Sequence, residues 1–471
     1  MRQHQMAHVL GAVLAVGAFC HCPELSAAGV AGEQGVARGT RAMVAVDCRA
    51  THQRVPLTGF LHGCYGASEA EMLRLRPRYW RSPDRANLGL MARLGVDLSV
   101  DFTYVVDNQV VAVTADNADA YVAYVKHKYR QYRDEAARTG ARMKYWEFWN
   151  EGEGLYVWQP MVRGEKVEKM EAFFRAFRLF HDAIREEDPD ALLIAPSSSH
   201  FWPDLMEDFL ARCDEAGLKL DAVAWHVIDH RPEEIPEQVA FVRGLIGKHP
   251  GLGVKEIHLN EWGWPGIGTG SQMAYLYYME RAGIGLAAKS IWGVEPLDDL
   301  FTPDGLVPER VYENRAHAMG SGPLPRVSYW AWAFYAMMGP VGCLAESSDP
   351  SVVCLAAPDR DGPSVLRIIL ARMTQTRLYT SDPKNQPARI CPLIAPPLEV
   401  TLSVAGLPEG PTDVEIARLP NTDWAMTEDV YSSFVSRSAA TVERGRLRLD
   451  FDGVEDEKVF LVSVRPRAAA P

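Results

Sequence analysis

Between residues 54 and 339, short apolar runs alternate with longer stretches in which apolar side chains recur at helical spacing. That alternation predicts strands followed by helices, and hence a parallel sheet. PLTGFLHG (56–63) predicts the first strand, with a helix at 68–76 after it. PRYWRSP (77–83) predicts the second, leading into DRANLGLMARLG, which has an Asp near its start and a Gly at its end. VDLSVDF (96–102) and RMKYWEFWN follow as third and fourth strands, separated by a helix over 118–139. Helix 167–187 precedes ALLIAPS (191–197), helix 203–216 precedes DAVAWH (221–226), and helix 234–249 precedes KEIHLNEW (255–262). Helix 271–283 leads to AAKSIWGV (287–294), and VSYWAWAFYAMMG (327–339) forms the last helix. Eight strand–helix units predict a (β/α)8 TIM barrel over 54–339.

Beyond residue 340 the period shortens. SVVCLAA, SVLRIILARM, LEVTLSV, TDVEIARL, RLRLDF and KVFLVSV are strand-length runs punctuated by Pro, Gly, Asp and Asn, which predicts an antiparallel β-sandwich over 340–468. The stretch 373–398 reads as a loop, and the run at 41–49 before the barrel reads as a further strand joining the sandwich.

At 471 residues the chain is long enough for two cores, and 47% hydrophobic and 23% charged residues describe a globular protein. A net charge of −12 argues against nucleic acid or an anionic membrane surface as partner. Residues 1–28 read as a cleaved signal peptide: a weakly basic start at Arg2, an apolar run Val9–Cys20 too short to span a bilayer, and small residues Ser26-Ala27-Ala28. A secreted or periplasmic protein without membrane insertion is therefore expected. Six cysteines remain after that segment, enough for three bridges, with Cys343–Cys354 the first candidate pair. No Cys/His spacing suits zinc, so neither a metal nor a cofactor is expected.

Two acids stand at predicted strand ends, where barrel enzymes keep their chemistry. Glu151 closes the fourth strand in KYWEFWNEGEG, and Glu261 closes the seventh in IHLNEWGW. One barrel mouth can bring them together, and glycoside cleavage with retention needs two carboxyl groups roughly 5–5.5 Å apart. Asn150 would then meet a sugar 2-hydroxyl. His226, after the sixth strand, could bond a carboxylate or a sugar hydroxyl. Trp292 could stack beneath a sugar ring. His62, Arg81, His230 and Trp202 lie at or near other strand ends as further substrate contacts, and His200 could line an outer subsite. Glu147 shares a face with Glu151 deeper in the strand, and Glu153 is a rival acid in the same loop.

WNE closing strand four, NEW closing strand seven and IWGV in strand eight resemble clan A of the retaining glycoside hydrolases. APSSS after strand five and WHVID after strand six make the chain most similar to glycoside hydrolase family 39, the β-xylosidase and α-L-iduronidase family. The resemblance spans about 42–468 and implies Glu151 as acid/base and Glu261 as nucleophile, acting on an oligosaccharide or polysaccharide. Two departures stand out: Gly152 replaces the proline that usually follows Asn-Glu, and strand six lacks the His-x-Tyr ending. Two other readings are a non-catalytic carbohydrate-binding barrel and an endo-acting glycanase of another clan A family.

Overall fold

The computed structural model describes residues 41–62, 68–153, 163–228, 231–263, 267–290, 300–301, 324–374, 376–379, 389–392, 395–421 and 426–467. The signal-peptide segment, Trp292, His230 and Cys64 lie outside them.

Strand β1 (Arg41–Gln53) precedes a closed barrel of eight strands. These are β2 (Gly59–Leu61), β3 (Tyr79–Arg81), β4 (Asp97–Asp101), β5 (Arg142–Glu147), β6 (Leu192–Ser198), β7 (Ala222–Val227), β8 (Glu256–Trp262) and β9 (Leu286–Lys289). Each is hydrogen-bonded in parallel to the next in chain order, and β9 closes on β2. Helices α1 (Glu69–Leu75), α2 (Leu88–Leu94), α3 (Ala118–Thr139), α4 (Arg163–Glu187), α5 (Pro203–Glu215), α6 (Ile235–Lys248), α7 (Thr269–Ala282) and α8 (Val327–Met337) accompany the strands. Local chemistry marks their ends. Ser68 and Glu71 form a reciprocal capping box on α1, and Gly140 ends α3 at φ +78°.

The barrel is filled rather than hollow. Leu61, Tyr79, Tyr145, Ile194, Ala222 and Leu286 pack in its interior. Outward-facing side chains alternate with these and meet the helices. In β5, Tyr145 points in, while Trp146 packs 4.4 Å from the Tyr129 ring of α3. Just beyond the strand, Phe148 lies against Phe173, Phe177 and Phe180 of α4. The aromatic run before Glu151 is thus a strand locked from both sides.

The C-terminal part forms two packed sheets. One has the order β10 (Val341–Ser347), β1, β13 (Leu398–Ala405), β16 (Arg446–Val454). The other has the order β11 (Val352–Pro358), β12 (Leu366–Arg372), β17 (Val459–Pro466), β14 (Gly410–Leu419), β15 (Val435–Val442). Their apolar faces, among them Val44, Ile368, Leu402 and Val462, enclose a second core. Strand β1 is interior to its sheet, antiparallel to β10 and parallel to β13. The stretch 373–398, read from sequence as a loop, contains an antiparallel ladder of Thr376–Tyr379 with Arg389–Pro392.

The sandwich is clamped onto the barrel. Glu457, in the turn before β17, accepts from the Ser271 N–H (2.7 Å) in the first turn of α7 and from the Thr374 N–H (2.9 Å). Buried Arg54 donates to both carboxylate oxygens of Glu280 in α7 and to the Gly339 carbonyl. Cys343 and Cys354 are both unbridged, and Cys48 is the cysteine that acts most strongly on the Cys343 thiol. The two facing cysteines of the sandwich core are therefore Cys48 and Cys343. Among the described residues no helix is long and apolar enough to cross a membrane.

Candidate active site

The site opens at the C-terminal ends of the barrel strands. Strand β8 carries a register irregularity between His258 and Glu261 in its ladder with β7. A regular strand sends neighbouring side chains to opposite faces, whereas a bulge can turn two consecutive ones inward. Asn260 and Glu261 both use this freedom. Asn260 Nδ2 donates to Glu147 (2.7 Å) and Ser197 (3.1 Å), and Glu261 accepts from Arg81 Nη1 at 3.0 Å. The next residue, Trp262, faces outward and stacks on Trp332 of α8 with centroids 5.8 Å apart.

Glu151 sits just past β5 with φ +54°, and its N–H donates to the carbonyl of Ser197, itself at φ +55°. Two non-glycine residues in the left-handed region, tied to each other, mark a strained site. Gly152 has a packing reason to be glycine. A Cβ there would come within 2.7 Å of the Phe173 ring and 3.1 Å of Trp149.

One carboxylate oxygen of Glu151, one ring nitrogen of His226 and one carboxylate oxygen of Glu261 lie within 4.8 Å of one another. His226 Nδ1 bonds Glu151 Oε1 at 3.0 Å and lies 3.6 Å from Glu261 Oε2. Burial pushes the Glu151 carboxyl up, but the His226 hydrogen bond and charge, with Arg81 and His200 behind it, hold it below the usual glutamate value. His226 is in direct contact with the Glu151 carboxylate and so takes part in whatever proton transfer occurs there. His226 shows the converse. Burial lowers the imidazole, and Glu261 together with the Glu151 bond raises it above its ordinary value. The two groups, bonded at 3.0 Å, titrate together rather than one at a time.

Arg81, expected from its strand-end position as a substrate contact, lies buried at the centre of the site. Its guanidinium is fully buried and reaches Glu147 through Nε (2.9 Å) and Nη2, Glu261 through Nη1, and Asn150 Oδ1 through Nη2 (2.7 Å). Asn150 is further fixed by its N–H to Thr103 Oγ1 (3.0 Å). The sequence reading set Glu147 aside and did not raise Asn260. The even spacing of Glu147 from Glu151 hints at an inward face, but nothing in composition reveals the bulge that aims Asn260.

Glu153 is buried and turned into the structure, accepting the Ser199 N–H; burial raises its carboxyl above the ordinary value. Its position does not suit a solvent-side acid. His62 ends β2 at φ +62° with its side chain exposed, and Trp202 heads α5 at 39% exposure with its ring 5.9 Å from His200. Glu151, Glu261, Asn150, His226 and Arg81 thus come together, while Trp202 and His62 lie outside their hydrogen-bond network. The Glu151–His226–Glu261 cluster is the one grouping of such ligand atoms among the described residues. Arg81 already occupies Glu261, and its fixed charge opposes a cation there.

No family model matches the sequence, and no curated protein does. Solved structures do match in fold. A β-xylosidase from Caulobacter crescentus is 14% identical, with 90% of this chain and 100% of that one covered and a TM-score of 0.55. A family 39 glycoside hydrolase from Xanthomonas axonopodis pv. citri is 14% identical over 90% and 97% of the two chains, with a TM-score of 0.57. An α-L-arabinofuranosidase from Thermotoga maritima is 13% identical over 90% and 99%, with a TM-score of 0.58. The chain has a family 39-like fold. Its structural neighbours are glycosidases, and the TIM barrel with a trailing β-sandwich predicted from the sequence is the architecture found.

Proposed function

We propose that the protein is a retaining glycoside hydrolase in which Glu261 is the nucleophile and Glu151, with His226, is the acid/base. The observation that carries this reading is the approach of the two carboxylates. Their nearest oxygens lie within 4.8 Å, as double displacement requires and unlike the wider gap that leaves room for a water in inversion. Arg81 holds Oε2 of Glu261, and the Glu261 carboxylate attacks the anomeric carbon. The leaving oxygen takes the proton held between Glu151 and His226, and the same pair later draws a proton from water as the glycosyl ester is hydrolysed. A purely binding barrel has no use for two carboxylates at this spacing. Aryl xylosides and arabinofuranosides are the first substrates to try, given what the structural neighbours act on. Export after cleavage near Ala28 belongs to the same proposal, and N-terminal sequencing of the mature protein tests it.

The chemical test uses azide. Glu151→Ala should keep more activity on an activated aryl glycoside than on a natural one, and azide should restore turnover with retained configuration. Glu261→Ala with azide should give the inverted glycosyl azide. The same anomer from both variants would overturn the assignment of roles.

A further inference from the structure

We infer that Glu147 is a positioning residue for the proposed nucleophile, because it shares with Glu261 the guanidinium of Arg81. This rests on the retaining-hydrolase reading and goes beyond it to a residue that touches no substrate.

Glu147 ends β5 with no exposed surface, deeper in the barrel than Glu151. It accepts from Arg81 Nε at 2.9 Å and from Nη2, and from Asn260 Nδ2 at 2.7 Å. Arg81 also donates to Glu261 through Nη1 (3.0 Å) and to Asn150 through Nη2 (2.7 Å). One cation therefore faces two carboxylates, and the bidentate side of its fork belongs to Glu147. Two effects follow. The fork fixes the plane in which Nη1 and Nη2 meet Glu261 and Asn150. The charge of Glu147 also offsets part of the positive field that Glu261 feels. The other charged or titratable groups facing this network are His226, Glu151, His62, Asp101 and Tyr79. None of them can replace Glu147 on the Nε side of the fork.

Glu147→Gln keeps the shape and one acceptor and removes the charge. Arg81 then acts undivided on Glu261, which stays ionised to lower pH. The acid limb of kcat/KM should move down by about one pH unit, since an unshared cation at this range depresses a carboxyl by about one to three. The value of kcat/KM at the optimum should drop on the order of tenfold, as a less basic nucleophile attacks more slowly. A fall in rate with the acid limb unmoved, or moved upward, overturns the inference, because a merely structural loss of packing shifts no limb downward. Folding of the variant is checked by circular dichroism. If it does not fold, Glu147→Asp retains the charge at shorter reach, so the rate should fall with the limb in place, and a displaced limb overturns the inference. The azide anomers decide the hydrolase reading independently. If they come out as proposed while the Glu147 limbs do not, only this inference falls.

Discussion

The imidazole of His226 and the carboxylate of Glu151 are joined at 3.0 Å through Nδ1 and Oε1, and both titrate away from their ordinary values in opposite directions. Their last shared proton is lost as pH rises through the raised imidazole value. The basic limb of kcat/KM should therefore stand above the range of an ordinary glutamate. In His226→Gln the amide cannot take that proton, which then leaves from the carboxyl, and the basic limb should move to lower pH. A limb that stays in place would show that the imidazole holds no part of the proton.

Gly152 should tolerate no side chain. The Phe173 ring lies 2.7 Å from where a Cβ would stand, and it is packed among other phenylalanines. Gly152→Ala is expected to cost about 1–3 kcal/mol through overpacking, and to lower kcat because Glu151 is its neighbour. Thermal unfolding and kcat measured on the same preparation check both parts.

Trp202 is exposed beside His200, and the charge of His200 acts on Glu151. The departing group leaves on the side of the acid, so the indole is placed to stack on it. Trp202→Ala should raise KM for an oligosaccharide about two- to tenfold, the value of one aromatic contact, with kcat unchanged. An unchanged KM removes Trp202 from the substrate path.

The closed end of the barrel offers a stability test. His258 Nε2 (2.7 Å) and the Tyr145 hydroxyl (2.8 Å) both bond Glu256, and against the effect of burial they hold its carboxyl down at about 2. A depressed carboxyl stabilises the fold above its unfolded value and loses that contribution as pH falls through its folded one. Glu256→Gln should therefore lower Tm near neutral pH, with the gap to wild type closing between about pH 4.5 and pH 2. A gap that is constant over that window would mean that the charge plays no part.

The eight-unit alternation made the barrel legible, because strand and helix periods differ and the breaks between them are marked by Gly and Pro. Glu151 and Glu261 were legible for the same reason, as acids at strand ends. Arg81 was legible as a strand-end residue, but its partners were not: a strand three residues long gives no parity from which to tell how deep its side chain reaches. Asn260 was missed because the register shift in β8 turns two adjacent residues inward, and no hydrophobic pattern records such a shift. The depression of the Glu151 carboxyl was not legible either, since its neighbour His226 arrives from another strand. Cys48 was overlooked as the partner of Cys343 because β1 and β10 are separated in the chain by the whole barrel.

That same separation has a consequence for how the chain is made. Strand β1 is the earliest described element, yet its hydrogen-bonding neighbours are β10 and β13, which follow the barrel. During synthesis it emerges first and then waits, with both edges bare, until nearly all of the protein has appeared. The sandwich therefore cannot close behind the ribosome one domain at a time; its first strand is placed only when the later strands arrive. Such a chain benefits from being kept unfolded until it is whole, and once closed, the β1 insertion joins its beginning to its end around the barrel like a clasp.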